Sequence, residues 1–290
     1  MSHMSRFAQM RYFPLIKAVL DQAGVSVDPE DWDVHSNGSA HIVVNAGHLL
    51  SVRVAKGHDS AVAMDRRVRI LRALPRDLPF ELPRPLTRVI TRAGFTAVGL
   101  TWIPGEARDI GPAPARQLGR ALRAIGRIDT VQLAPYVEKT HHHWGGDDWE
   151  QTLRETVIPR LFTENQRMAH RIVDDVLDLD PVEPRVIHGD FSGHNILWTK
   201  DKLTGVIDWD HAAVGDPAWD IASAANWYGW DVLTKCVGKD WAARAKVIHR
   251  LMPLQSVGYV IVNGGGGAIL RQSLERTDAW FAEHRSELPW

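Results

Sequence analysis

The stretch RVIHGDFSGHNILWTKDKLTGVIDWDHAAVGDPAWD, residues 185–220, decides the fold of this chain. A short apolar run at 186–187 leads into a polar loop that contains Asp190, and Asn195 stands where that loop ends. Two further apolar runs follow, and Asp208 comes directly after the second. Apolar runs separated by polar loops indicate strands. The pattern therefore predicts that two carboxylates and one amide meet on neighbouring loops.

These three polar residues match the needs of phosphoryl transfer from a nucleotide. The reaction requires a base near the acceptor hydroxyl and oxygen ligands for Mg²⁺. We predict that Asp190 accepts the hydroxyl proton and that Asn195 and Asp208 bind the metal. The spacing Asp-x-x-x-x-Asn, followed by a second Asp, is that of the protein-kinase catalytic and metal-binding loops. The plain alternative is that Asp190 and Asn195 cap turns while Asp208 ends a strand.

The motifs around these residues resemble the aminoglycoside phosphotransferase family, which are antibiotic kinases with a protein-kinase-like fold. Members carry HGD followed by Asn, then an apolar-Asp-aromatic strand end, then GDP and a further Asp before a helix. The corresponding residues here are His188-Gly189-Asp190, Asn195, Ile207-Asp208-Trp209, Gly215-Asp216-Pro217 and Asp220. Within this family, the segments GHNILW and GVIDWD are similar to those of the viomycin and capreomycin phosphotransferases.

The resemblance implies an α+β, protein-kinase-like, two-lobed fold. Residues 1–102 would form an antiparallel-sheet lobe that binds ATP or GTP with Mg²⁺, and residues 103–290 a mainly helical lobe for catalysis and substrate. The implied acceptor is a small-molecule hydroxyl, in the first place a cationic antibiotic of the aminoglycoside or tuberactinomycin type, with resistance as the outcome. Alternatives are a macrolide phosphotransferase, a metabolic kinase for a sugar or an amino alcohol, and a catalytically silent kinase-like binding protein.

Alternating apolar residues in the first hundred positions predict a small antiparallel sheet, with strands near 32–34, 40–44 and 49–54. The turn between the first two lies where kinases place the loop over the nucleotide phosphates, and its glycine permits close backbone approach. The predicted phosphate-contacting residues are Ser36, Asn37, Gly38 and Ser39. An ordinary hairpin turn explains the same residues.

The third strand should carry the cation that binds the nucleotide phosphates. The family pattern selects Arg53, with Lys56 in reserve. In kinases a Glu on the next helix orients this cation, but the helix predicted here, near 59–74, contains no Glu and offers Asp65 among several arginines. Either Asp65 substitutes for this Glu or another group orients the cation. By resemblance, Thr101, Trp102 and Ile103 form the hinge that meets the nucleotide base, and they do not distinguish adenine from guanine.

Charge is divided unevenly along the chain. Residues 1–130 contain 18 Lys and Arg against 12 Asp and Glu, and the remainder contains 16 against 23. A basic first part suits a polyphosphate, and an acidic second part suits a cationic acceptor, although scattered surface charge gives the same balance. The residues predicted to bind the acceptor are Asp147, Asp148, Glu150, Asp210, Trp227 and Trp230. Pairs of solvated helices explain the acids in 147–183 equally well.

Three further residues are predicted to support the site. His188 belongs to the catalytic loop, Asp216 fits a helix cap before Pro217, and Asp220 braces the loop one turn later. The run His141, His142 and His143 lacks a metal-binding spacing, so we assign it to a loop or a lid. The glycines at 264–267 predict a break between C-terminal helices.

Composition excludes several classes of protein. The chain has 290 residues with 44% apolar and 24% charged content, enough for a sizeable core. Its one cysteine, Cys236, excludes an internal disulfide. We see no signal segment and no spanning run, which predicts a cytoplasmic protein with no membrane partner. The absence of a basic cluster with interleaved aromatics predicts no nucleic-acid partner. We expect a monomer or a homodimer.

Overall fold

The computed structural model of the chain describes residues 6–36 and 40–286. Within these ranges the chain divides into two compact units. The first comprises the described residues of 6–108, 131–136 and 193–210, and the second those of 109–130, 137–192 and 211–286. The first unit thus combines the N-terminal part of the chain with the segment 193–210. It includes 193–210 because strands from that segment pair with a strand just before Arg108.

The first unit is built on a five-stranded antiparallel sheet with helix α1 packed against it. Its strand order is β1-β2-β3-β5-β4. The elements are α1 (Arg6–Ala23), β1 (Trp32–His35), β2 (His41–Ala46), β3 (Leu50–Ala55), α2 (His58–Val62), α3 (Met64–Ala73), β4 (Ile90–Arg92) and β5 (Phe95–Thr101).

The core of this unit follows from two periodicities. Apolar residues of α1 recur at helical spacing, and every second residue of β2 and β3 is apolar. The buried cluster contains Leu15, Ile16, Val19 and Leu20 of α1 and Ile42, Val44, Leu50, Val52 and Val54 of the sheet. Because side chains alternate across a strand, Arg53 lies on the opposite face from this cluster. The hydrophobic pattern therefore fixes the face on which the cation stands.

A second, three-stranded sheet of the first unit carries the predicted metal ligands at its strand ends. Its order is β6 (Glu106–Ala107), β8 (Ile196–Thr199) and β9 (Lys202–Val206). All pairs are antiparallel. The parallel bridge between Glu81 and Gly205 links this sheet to the segment before β4.

The second unit is mainly helical. Its short antiparallel pair, β7 (Arg185–Ile187) and β10 (Ala213–Gly215), flanks the loop that carries Asp190. Its helices are α4 (Ala115–Ile125), α6 (Trp149–Gln151), α7 (Thr163–Leu177), α8 (Ala218–Tyr228), α9 (Trp230–Val237), α10 (Lys239–Val262) and α11 (Gly267–His284). The short helix α5 (Thr130–Leu133) lies mostly in the first unit. A π-helical segment, Thr152–Val157, continues α6.

The predicted break between the C-terminal helices is confirmed. Helix α10 ends at Val262 and α11 begins at Gly267. Gly264 has φ +73°, a left-handed conformation that glycine adopts without steric cost. None of the helices in the described residues is long and apolar enough to cross a membrane.

Two adjacent leucines test the assignment of the core. Leu50 is 0% exposed in the cluster beneath α1, whereas Leu49 is 60% exposed. Leu50→Ala should lower the free energy of unfolding by about 2–5 kcal/mol because it leaves a cavity. Leu49→Ala should change it by about 0.5 kcal/mol or less. Urea denaturation measures both, and similar losses for the two variants would contradict this packing.

Candidate active site

The loop that carries Asp190 leaves β7 through Gly189, and any other residue at this position would force neighbouring backbone atoms to move. Gly189 has φ +81°, and a Cβ atom built there would lie 2.0 Å from the carbonyl oxygen of His211. His188, which precedes it, is fully buried. The backbone therefore turns sharply directly before the predicted base.

Asp220 on α8 holds this loop by two backbone hydrogen bonds. Its carboxylate accepts from the amide N–H of His188 at 2.7 Å and from that of Gly189 at 2.9 Å. The amide of Asp190 donates to Nδ1 of His188 at 3.3 Å. Three consecutive amides are thus bonded, which restrains the backbone at Asp190. This geometry fits the bracing role predicted for Asp220 and the support role predicted for His188.

The environment of Asp220 opposes its charge. Burial raises the pKa of Asp220 from 3.8 to about 7, although the two amide donors favour the ionised form. The nearby charge of Asp190 adds to the increase. Asp220 is therefore a carboxylate whose protonation changes near neutral pH.

Asp216 positions the start of α8. Its Oδ1 accepts a hydrogen bond from the amide of Ala218 at 2.9 Å, as a capping side chain does. Its Oδ2 accepts from Nε of Arg244 at 2.7 Å. Both oxygens have partners within the second unit, which suits the structural role predicted for this residue.

In the first unit, Asn195 and Asp208 lie at adjacent strand ends. Asn195 ends the 3₁₀ turn before β8 and is 3% exposed. Its carbonyl oxygen accepts from the amide of Ile207 at 2.9 Å, one residue before Asp208. Asp208 has φ +61°, a left-handed conformation that is uncommon outside glycine and that Asp tolerates. The structure thus brings the two predicted metal ligands to the same end of β8 and β9.

Arg53 of β3 reaches this position. Its Nη2 donates to Oδ1 of Asp208 at 2.6 Å. Its two terminal nitrogens also donate to the two oxygens of Asp210, at 2.8 and 2.9 Å. Burial opposes the charge on Arg53, but Asp210 and Asp208 outweigh it and raise the pKa of the guanidinium above its usual value. Arg53 is therefore a charged side chain held between two carboxylates.

Two residues that sequence reasoning missed complete this group. Arg67 of α3 lies with Nε 3.0 Å from Oδ2 of Asp210, and its Nη1 lies 2.7 Å from Nε2 of His41. Burial, with Arg53 and Arg67 nearby, lowers the pKa of His41 to about 2, so the ring is neutral and accepts from Arg67. A signal existed in the sequence, because Arg67 stands at helical spacing among the buried residues Met64, Val68 and Leu71.

The carboxylate considered as a substitute for the missing helix Glu lies elsewhere. Asp65 is exposed and makes no hydrogen bond or ion pair with the described residues. The ion pairs of Arg53 go to Asp208 and Asp210. The orienting carboxylates therefore come from the segment after β9, and α3 contributes a cation.

The donor set suits Mg²⁺. Asp208 has a side chain 43% exposed, and its Oδ2 makes no hydrogen bond to the described residues. A carboxylate and an amide are hard oxygen donors, and Mg²⁺ in nucleotide sites is held by one or two carboxylates together with phosphates and water. Nowhere in residues 6–36 or 40–286 do three or more His, Cys, Asp or Glu side chains gather in a metal-binding group. Asn195 and Asp208 would therefore hold the ion together with substrate phosphates.

The predicted nucleotide-contacting residues are placed in part. Asn37, Gly38 and Ser39 lie outside the described residues. The carbonyl of Ser36 accepts from Nζ of Lys56 at 2.5 Å, so the reserve cation is bonded to the predicted phosphate loop.

At the end of β5, the three hinge residues differ in exposure and partners. Thr101 accepts from the amide of Arg84 at 2.8 Å. The ring of Trp102 stacks on His48 with centroids 4.4 Å apart, and Ile103 is buried. Their contact with a nucleotide base stays a prediction.

The predicted acceptor-binding acids are largely paired with cations. Asp147 forms an ion pair with Lys139. Glu150 accepts from Nε of Arg154 at 2.8 Å, and the same arginine reaches Asp174 at 2.6 Å. Asp148 is exposed. The negative charge that this surface can offer an acceptor is smaller than the residue count suggests.

The remaining predicted acceptor residues have other partners. Trp227 is half-buried, and its carbonyl accepts from the amide of Gly111. Trp230 contacts the ring of His249 edge-on at 5.2 Å. Asp210 is 5% exposed and belongs to the first unit, where it binds Arg53. The structure therefore does not gather the six predicted residues into one group within either unit.

The three consecutive histidines have different surroundings. His141 has φ +69° and its ring contacts those of Trp144, Trp149 and Trp219. Burial lowers the pKa of His141 to about 4. His142 and His143 instead direct Nε2 towards Glu138, at 3.5 and 3.4 Å. Their rings therefore point into two different environments.

Comparison with known proteins shows which family the chain belongs to. A sequence profile of the phosphotransferase enzyme family (APH) matches residues 36–252. Viomycin phosphotransferase of Streptomyces vinaceus is 29% identical over 169 residues, 54% of this chain and 58% of that protein. Homoserine kinase of Beijerinckia indica subsp. indica is 31% identical over 196 residues, 65% of this chain and 60% of that protein. The matches thus span less than two thirds of these relatives' length.

Solved structures show the same fold. The GDP and kanamycin complex of APH(2")-IIia superposes with a TM-score of 0.78 at 16% identity, covering 94% of this chain and 99% of that chain. At this identity the likeness concerns the fold alone. The predicted α+β kinase-like fold, with an antiparallel sheet followed by a mainly helical part, is confirmed.

The raised pKa of Asp220 predicts an unusual pH dependence of stability. Between about pH 4 and pH 7 the folded state keeps a proton that the unfolded chain has lost, so stability should fall as pH rises through this window. Asp220→Asn cannot ionise, and its free energy of unfolding should fall less. Urea denaturation at both ends of the window measures the slope. Asp178→Asn, which replaces an exposed carboxylate, is the control and should keep the wild-type slope of stability against pH. Equal slopes in wild type and Asp220→Asn would show that the pKa of Asp220 is not raised.

Proposed function

The chain belongs to the phosphotransferase enzyme family, and we propose that it transfers the γ-phosphoryl group of ATP or GTP to a hydroxyl group of a small molecule. One observation carries the proposal. Asp208 and Arg53 are in direct contact at 2.6 Å, at the strand end that also bears Asn195. Asp190 lies earlier in the same matched segment, on a loop restrained by Asp220.

Each residue has a role that its surroundings support. Asp190 would accept the proton of the attacking hydroxyl. Arg53 would bind the nucleotide phosphates, for which a planar guanidinium offers paired donors. Asn195 and Asp208 would hold Mg²⁺, which when bound neutralises charge on the phosphate oxygens. The γ-phosphoryl group would pass from the nucleotide to the acceptor oxygen, and the hydroxyl proton would pass to the carboxylate of Asp190.

A cationic acceptor is the first proposal for specificity. The second part of the chain carries more acids than bases, and Asp148 remains exposed beside the paired Asp147 and Glu150. Viomycin phosphotransferase, named for an antibiotic substrate, matches 54% of this chain. One solved neighbour was determined with GDP and kanamycin bound and another with ADP bound, so the proposal includes both nucleotides together with an antibiotic acceptor.

A second candidate is a metabolic amino alcohol. The homoserine kinase relative matches 65% of this chain. In addition, Lys139 and Arg154 neutralise part of the acidic surface, which suits an acceptor with one ammonium group better than a polycation. The hypothesis of a catalytically silent binding protein rested mainly on the missing helix Glu. Arg53 nevertheless has a carboxylate partner, Asp210, so that argument no longer holds.

The base assignment is tested by one substitution. Asp190→Asn should lower kcat by about 10²–10⁴-fold because the general base is lost. Nucleotide affinity should stay within about twofold, since Asp190 is assigned to the acceptor. Asp201→Asn, whose side chain is 84% exposed, is the matched control and should keep wild-type turnover. Near-normal kcat for Asp190→Asn in a steady-state assay would show that another residue is the base.

The acceptor is tested by a panel assayed with both ATP and GTP. Viomycin, kanamycin, a macrolide and homoserine cover the proposed classes, and phosphorylated product is detected by mass spectrometry. For a polycation held by partly exposed carboxylates, KM should rise several-fold between low and high salt, because screening acts within about 8–10 Å at physiological ionic strength. A macrolide bound by apolar surface should show a flat KM. Turnover of homoserine alone would reject the antibiotic proposal.

A further inference from the structure

Helix α3 has the opposite charge from the one kinases use next to the phosphate-binding cation. In kinases this helix supplies a Glu that orients the cation. Here the helix contains one acid, Asp65, which is exposed. Its buried face instead carries Arg67, 9% exposed. The orientation of Arg53 must therefore come from another element.

We propose that Asp210 is the positioning residue for Arg53 and that Arg67 of α3 holds Asp210 in place. The proposal rests on the function proposed above and adds a residue to it. Both Asp210 oxygens accept from Arg53, at 2.8 and 2.9 Å, in the paired geometry that suits a guanidinium. Nε of Arg67 lies 3.0 Å from Oδ2 of the same carboxylate. One carboxylate thus connects β3 and α3.

Asp208 and Asp210 differ in burial, and this separates their tasks. The side chain of Asp208 is 43% exposed, and that of Asp210 is 7% exposed. Asp208 accepts one hydrogen bond from Arg53, whereas Asp210 accepts two. When Mg²⁺ is bound, Asp208 would hold it together with Asn195, while Asp210 would keep the buried guanidinium of Arg53 paired.

The residue between the two acids explains how both reach Arg53. Trp209 is 1% exposed, and its Nε1 donates to the carbonyl of Val206 at 3.0 Å. This anchors the short Asp-Trp-Asp segment against β9. The left-handed conformation at Asp208 turns the chain directly before Trp209. One three-residue segment therefore presents a metal ligand and a cation-orienting carboxylate.

Charge balance explains why Arg67 is needed. Arg53 and Arg67 carry two positive charges, and Asp208 and Asp210 carry two negative charges. His41 adds no charge, since its Nε2 accepts from Arg67. If Asp208 turns to Mg²⁺, Asp210 remains between the two guanidiniums. Loss of Asp210 would then leave two buried cations side by side, with their repulsion uncompensated.

The central test is nucleotide binding by Asp210→Asn, which keeps the shape of the side chain and removes its charge. Titration calorimetry with Mg-ATP and Mg-GTP should show a dissociation constant about 10- to 100-fold higher than that of the wild type, as for other residues that orient a ligand-binding group. Asp65→Asn removes the charge of an exposed Asp on α3 and should bind within about twofold of wild type. An unchanged dissociation constant in Asp210→Asn would overturn the proposal.

A double variant separates positioning from simple charge balance. Asp210→Asn with Arg67→Gln removes one charge of each sign, so it should recover the melting temperature lost in Asp210→Asn. It should not recover nucleotide affinity, because Arg53 still lacks its partner. Recovery of affinity together with stability would show that Asp210 acts only by balancing charge and would overturn the proposal.

Binding and transfer are measured separately, so the two proposals can fail separately. If the wild type binds nucleotide but transfers phosphoryl to no acceptor, the proposed function is rejected. Nucleotide binding by Asp210→Asn would still test the positioning role. Transfer by wild type with normal binding by Asp210→Asn would reject only the positioning role.

Discussion

The first unit depends on pairing one buried guanidinium. Arg53 has a side chain 12% exposed on the sheet face away from α1, where an unpaired charge would be costly. Its partners come from a segment that follows β9, and the second cation comes from α3. The ion pairs therefore connect the sheet, a helix and the predicted metal ligands. Loss of Asp210, which lies against both guanidiniums, would leave buried positive charge without its counter-ion.

A different constraint acts in the second unit, where backbone amides rather than cations surround the carboxylate. Asp220 is 3% exposed and is held by two N–H donors from the loop that carries Asp190. Burial favours its neutral form and the donors favour its charged form, so its pKa lies near neutral pH. In each unit a buried carboxylate thus fixes a residue proposed to act on substrate. Neither carboxylate needs to touch substrate itself.

Acceptor choice is a separate matter from the phosphoryl-transfer machinery. The relatives of this chain include kinases named for viomycin and for homoserine, which are two different acceptors. One scaffold supports such differences because the machinery and the acceptor-binding surface are different sets of residues. The ion pairs of Lys139 and Arg154 with neighbouring acids show that sequence charge alone overstates the field available to an acceptor.

The sequence by itself determined the order and spacing of Asp190, Asn195 and Asp208, the strand that carries Arg53, and the helix break near 264, since these depend on local patterns. It also contained the pairing of Glu150 with Arg154, four residues apart on one helix face. Only the tertiary structure decided which carboxylate meets Arg53. Asp210 lies 157 residues away from Arg53 along the chain. The sequence does not show whether Asp65 or Asp210 is buried, so it cannot show which of the two pairs with Arg53. Burial makes the difference, because an exposed carboxylate is screened by water while a buried one must be paired.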